Sequence, residues 1–122
     1  MNEHFNNDEY LYRAVRAYIF EKKNRKFSTA LFKSKSEGCS VDRGYYRKDS
    51  DVIEFMKNHN LSGGFVKISV ADCYKSHTKP VYLPSYGNPY HSEIHGENQI
   101  TLDDDQRYDL GMRAIIVEYP QI

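Results

Sequence analysis

The sequence predicts an α+β fold: one small domain of four to six short, mostly antiparallel strands with two helices packed on one face. Three observations carry this. Phe65 to Ala71 alternates strictly, with Val66, Ile68 and Val70 on one side and Phe65, Lys67 and Ser69 on the other, as a half-buried strand does. Asp51 to His59 places Val52, Ile53, Phe55 and Met56 on one helical face and exits through Asn60-Leu61-Ser62-Gly63-Gly64. Leu102 to Arg113 reads as a helix with an acidic first turn, Asp103-Asp104-Asp105, where the helix dipole favours negative charge. A chain of 122 residues fits one domain and can bury a core without staples.

Taken in order, residues 1–8 are polar and read as a flexible N-terminal tail, so that the domain runs over residues 9–122. Glu9 to Phe20 fits both a strand alternation and a helical spacing; its aromatic and β-branched residues favour a strand over Tyr10 to Val15, and its Ala and Arg residues favour a helix. Glu21 to Lys26 is a charged turn. Ser28 opens a short helix that turns Ala30, Leu31 and Phe32 inward, and a loop over Ser34 to Gly38 leads to a strand at Cys39 to Arg43. Gly44 to Arg47 is a turn, and Asp49 and Ser50 are N-cap candidates for the first long helix. After the Phe65 strand comes a polar connection over Asp72 to Lys79. Val81 to Leu83, fenced by Pro80 and Pro84, suits a sheet edge. Ser85 to Pro89 is a turn and His91 to His95 a strand. Thr101 with Asp104 resembles a capping box for the second long helix, and Ala114 to Tyr119 is the last strand.

Composition narrows the function classes. No run approaches a membrane span, and no apolar leader opens the chain, so a cytoplasmic protein is expected. Cys39 and Cys73 are the only cysteines and read as reduced thiols. Phosphate loops, dinucleotide fingerprints and spaced cysteine pairs are absent. Formal net charge is zero, yet Leu11 to Lys48 holds eleven Lys and Arg against three acids, while Ile68 to Ile122 holds four against eight. Such asymmetry points to two faces meeting different partners.

Three groups of residues could carry function. His91, Glu93 and His95 share one strand face and are of metal-ligating type, with Asp72, Cys73 or His77 as further donors. No short-spaced His or Cys motif supports them, so they read better as the polar wall of a cleft than as a metal site. Tyr86, Tyr90 and Tyr82 flank that strand and could stack a flat ligand or cover a sheet edge. Lys22, Lys23, Arg25, Lys26, Arg43 and Arg47, with Arg13, Arg16 and Lys48, could engage a phosphate backbone or an acidic protein.

The blocks Leu11-Tyr12-Arg13, Phe27-Ser28-Thr29-Ala30-Leu31-Phe32, Cys39-Ser40-Val41-Asp42-Arg43, Ser69-Val70-Ala71-Asp72-Cys73 and His91-Ser92-Glu93-Ile94-His95-Gly96 resemble those of a group of small bacterial proteins. That group shares an LYR start, S-x-x-F, LSV and V-x-[DE]-C blocks and a late H-x-x-I block. It brings no activity to carry over. The order of Arg13, the Ser40 strand and Glu93 is similar, at the level of the fold, to that of ADP-ribosyltransferase-like domains. That resemblance implies that Arg13 binds NAD and Glu93 is catalytic. The expectation is therefore a binding or accessory protein that meets a protein or nucleic acid through the basic Leu11 to Lys48 segment, with no cofactor. The alternative is a nucleotide- or metal-using site built from Arg13, His91, Glu93 and His95.

Overall fold

A computed structural model describes the chain apart from residues 17–19, 22, 24, 25, 28, 34–37, 121 and 122; at 20, 21, 26, 27, 29 and 30 it describes the backbone alone. Among the described residues the fold is α+β, built on a six-stranded antiparallel sheet with three α-helices. In chain order the elements are β1 (Tyr10–Val15), β2 (Phe20–Glu21), β3 (Lys26–Phe27), a 3-10 turn (Thr29–Phe32), β4 (Cys39–Arg43), α1 (Asp49–Asn58), β5 (Gly64–Ser69), α2 (Val70–Lys75), β6 (Thr78–Tyr82), β7 (His91–Gly96), α3 (Asp104–Arg113) and β8 (Ile115–Glu118). The large sheet runs β6-β7-β4-β1-β5-β8, and β2 and β3 form a separate two-stranded ribbon.

The open question over residues 9–20 resolves as a strand through Val15. β1 is flanked on both sides, by β4 and β5, and a central position rewards the β-branched and aromatic residues of Tyr10–Val15. Alternation sorts the core side chains of the large sheet between its two faces. Leu11, Val15, Cys39, Val41, Val66, Ile68 and Ile94 join α2, α3 and the 3-10 turn in one core. Tyr12 and Phe65 meet Val52, Ile53 and Met56 of α1 in a second core on the opposite face.

Helix placement differs from expectation. The two long helices, α1 and α3, lie on opposite faces, and the second helix beside α3 is α2, read above as strand end and polar connection. Ser69 ends β5 and caps α2, its Oγ accepting from the Asp72 backbone N–H at 3.1 Å. Ser-x-x-Asp at this point overrides the strand alternation that continues through Val70. α3 is also capped two residues later than Thr101 implied: Asp103 and Gln106 form a full capping box. Asp49 does not cap α1. Lys48 holds that position without a side-chain bond, while the Asp49 carboxylate accepts from Tyr12 Oη and, at 3.1 Å, from Lys67 Nζ.

Residues 1–8, expected to hang free, are docked on the domain. Phe5 is buried and stacks on the Arg43 guanidinium, 4.1 Å from its ring centre. The Asn7 and Glu9 carbonyls accept from Ala71 and Val70 backbone N–H groups. Tyr46 Oη donates to Asp8 at 2.7 Å.

Candidate functional site

The register decides which of the expected site residues meet. Asp42 lies opposite Tyr12 on one side and His91 on the other, and Ser40 lies opposite Glu93. Directly opposed residues share a face, so His91, Glu93 and His95 are on the α1 side. Arg13 is opposite Val66 and so belongs to the other face. There its guanidinium donates to the Leu31, Ser40 and Lys33 carbonyls at 2.8, 2.7 and 3.2 Å. The Ser40 carbonyl lies beyond the residues that pair β1 with β4, Leu11 with Arg43 and Tyr12 with Asp42, and Arg13 donates to it instead. The cleft expected between Arg13 and Glu93 is therefore not formed: the sheet separates them.

The three residues of β7 also divide. His95 Nε2 donates to Glu93 Oε1 at 2.7 Å, with both side chains largely buried. Gly38 roofs this pair so closely that a Cβ there would sit 2.7 Å from His95 Nε2 and 2.8 Å from Glu93 Oε1. His91 turns to the neighbouring edge, where its Nδ1 meets the Leu83 carbonyl at 2.8 Å; a carbonyl only accepts, so Nδ1 carries the proton. Among the described residues no group of three His, Cys, Asp or Glu side chains is arranged to hold a metal ion. Cys39 and Cys73 are buried in the first core, and burial pushes their thiols up to about 11 and about 12. They are protonated at neutral pH, and Cys73 has no exposed partnership with His77.

The basic set is also redistributed. Arg43 is fully buried, donating to both Glu9 carboxylate oxygens (2.8 to 3.2 Å) and to the Asn2 and His4 carbonyls. It is a structural centre, not a contact surface. Arg47 donates to the Gly44 and Arg43 carbonyls, both at 2.9 Å, and lies 3.4 Å from the centre of the Tyr90 ring. Lys22 and Arg25 lie outside the described residues, as does the Lys26 side chain. Arg16, Lys23, Lys33 and Lys48 are exposed.

What the structure does assemble is the connection from β6 to β7, residues 83–90. Ser85 and Asn88 exchange two backbone hydrogen bonds at 3.1 and 3.0 Å around Tyr86 and Gly87. Gly87 has φ +84°, a conformation that glycine takes without strain. Tyr82 Oη donates to the Pro89 carbonyl at 2.6 Å, and Asn88 Oδ1 accepts from the Tyr90 backbone N–H at 3.0 Å. Two further bonds tie the hairpin to the domain. Asn88 Nδ2 donates to Asp42 Oδ1 at 3.1 Å, and His59 Nε2 meets the Gly87 carbonyl at 2.9 Å. Phe55 stacks on His59 and meets Tyr90 edge-on, 4.1 and 5.1 Å between ring centres. At the tip of this fixed hairpin Tyr86 is wholly exposed, and Leu83 at its base is exposed as well.

Sequence reasoning singled out Tyr86 and Tyr90 but missed the residues that hold them: Asp42, Phe55, His59 and Asn88. Alternation in Cys39–Arg43 already sets Asp42 apart from Cys39 and Val41; its burial depends on Asn88, 46 residues away. The Asp42 carboxyl is 3% exposed and its Oδ2 has no hydrogen-bond partner. Burial pushes its pKa above the ordinary carboxylate value, with Asn88 and His91 opposing.

The chain matches no protein family, no curated protein and no solved structure in comparisons with each. Among the described residues no helix is long and apolar enough to cross a membrane.

Proposed function

We propose that the protein acts by binding another protein through the Tyr86 hairpin. The observation that carries this reading is a wholly exposed tyrosine on a hairpin fixed at its base and on two sides. Binding hot spots are enriched in tyrosine, and an anchor held in place before contact loses little conformational entropy on binding. Val81 to Tyr90 contains no Lys or Arg, so the hairpin has no cation to set against a phosphate backbone; this favours a protein over a nucleic acid. The accessory role expected from sequence is kept, and its contact surface moves from the basic segment to the hairpin. The nucleotide-using alternative is less favoured, because Arg13 lies on the sheet face opposite Glu93.

A photo-crosslinking amino acid at position 86, introduced in the native host, tests this. A discrete adduct from position 86, absent when the same group replaces Tyr74 or Tyr108, supports the reading. Tyr86→Ala should then weaken the captured complex by about tenfold or more with the melting temperature unchanged. Adducts from Tyr74 or Tyr108 but none from position 86, or no adduct anywhere, would refute it.

A further inference from the structure

The imidazole of His59 stands between two carbonyl oxygens. Its Nδ1 is 2.8 Å from the Phe55 carbonyl one turn back in α1, and its Nε2 is 2.9 Å from the Gly87 carbonyl of the hairpin. Both oxygens only accept, so both bonds exist together only when both ring nitrogens carry protons, that is, in the imidazolium. Neutral imidazole has one proton and must leave one carbonyl facing a lone pair.

We propose that His59 is a proton-operated clamp that fixes the Tyr86 hairpin to the end of α1 when charged and releases it when neutral. This rests on reading the hairpin as the binding element, and it adds control of that element by pH. The Phe55 bond joins groups of a single helix turn, whereas the Gly87 bond must also hold a separate element in place. The single proton of the neutral ring is therefore kept by Nδ1, and Gly87 loses its donor.

The surroundings favour the charged form. His59 is the C-cap of α1, where a cation complements the helix dipole. The carbonyls of Phe55 and then Gly87 raise its pKa above the ordinary imidazole value, and Asp42 of β4 adds to this. From the turn before α1, Arg47 reaches Phe55 but lies on the Tyr90 ring. From β7, His91 is held by Leu83. Tyr86 is the one titratable side chain between Leu83 and Pro89. With the pKa raised, the clamp is complete below the ordinary imidazole value and is lost as pH rises through the raised one. Asn88 on Asp42 remains as the second tie, so release is a swing of the tip, not loss of the hairpin.

Nuclear magnetic resonance of the whole chain between about pH 5 and 8 tests this without a partner. The His59 ring carbons should titrate above the ordinary imidazole value. The Tyr86 and Gly87 amides should shift with that same midpoint. In His59→Gln, whose neutral amide can donate at every pH, the hairpin amides should lose that midpoint. Hairpin amides that ignore the His59 titration, or that titrate equally in His59→Gln, would overturn the clamp. Because no partner is present, a clamp that works in a protein whose position 86 captures nothing would refute the binding role alone.

Discussion

At the scale of single residues, the molecule is marked by polar groups taken out of water with uneven compensation. Arg43 and Glu9 are both fully buried, and each is met by its partner and by backbone groups. Asp42 is as buried, yet one carboxylate oxygen goes unmet. Because burial raises the Asp42 pKa, the native state binds a proton that the unfolded chain releases earlier. Stability from this group is then greatest below the ordinary carboxylate value and falls as pH rises through the raised one. Asp42→Asn keeps an oxygen for Asn88 and removes the charge. The variant's stability relative to wild type should therefore increase as pH rises across that interval and level off above it. Urea unfolding of both proteins at a series of pH values measures this; a difference that is flat, or that favours wild type increasingly with pH, would contradict it.

At the scale of elements, the caps separate what local sequence specifies from what it does not. Thr101 and Asp103 both precede an apolar-spaced helix with a suitable residue three positions on. The structure selects Asp103, whose partner Gln106 also donates to the His77 carbonyl at 2.8 Å. Asp103→Ala should cost about 1 kcal/mol in thermal or urea unfolding, and Thr101→Ala much less; equal losses would show that the box contributes nothing beyond propensity. β4, β5 and α1 were legible because one face or stripe of each is apolar, and period alone reveals it; β7 was legible from the alternation of His91, Glu93 and His95 with Ser92 and Ile94. Period does not say which face of the sheet a helix covers, which is why α1 and α3 were placed together. Nor does it show that Arg13 and Glu93 lie on opposite sides, since that depends on the register of β1, β4 and β7. The tyrosines of the hairpin were legible as residue types. Their support was not, because Asp42, His59 and Asn88 come from three separate elements.

At the scale of the whole molecule, the N-terminal segment is the test of how the domain is closed. It lies beside the start of β1 and the end of β4, where Arg43 collects acceptors from Asn2, His4 and Glu9. Polarity made residues 1–8 look dispensable, because a segment with two large apolar residues, Met1 and Phe5, has little to bury by itself. Its contribution comes instead from completing groups already buried by the sheet. Removing it exposes the site of Phe5, worth about 1.5–3 kcal/mol for a side chain of this kind. It also strips two carbonyl acceptors from a buried guanidinium, each at about 1–3 kcal/mol where the group stays out of water. Water entering the opened site offsets part of this, which leaves a loss of roughly 3–5 kcal/mol. Against a total of about 5–15 kcal/mol, a chain begun at Glu9 should unfold at a much lower urea concentration and show broadened amide signals around Arg43 and Tyr46. A truncated chain with the wild-type midpoint would show that residues 1–8 contribute nothing to closure, and that Glu9 alone satisfies Arg43.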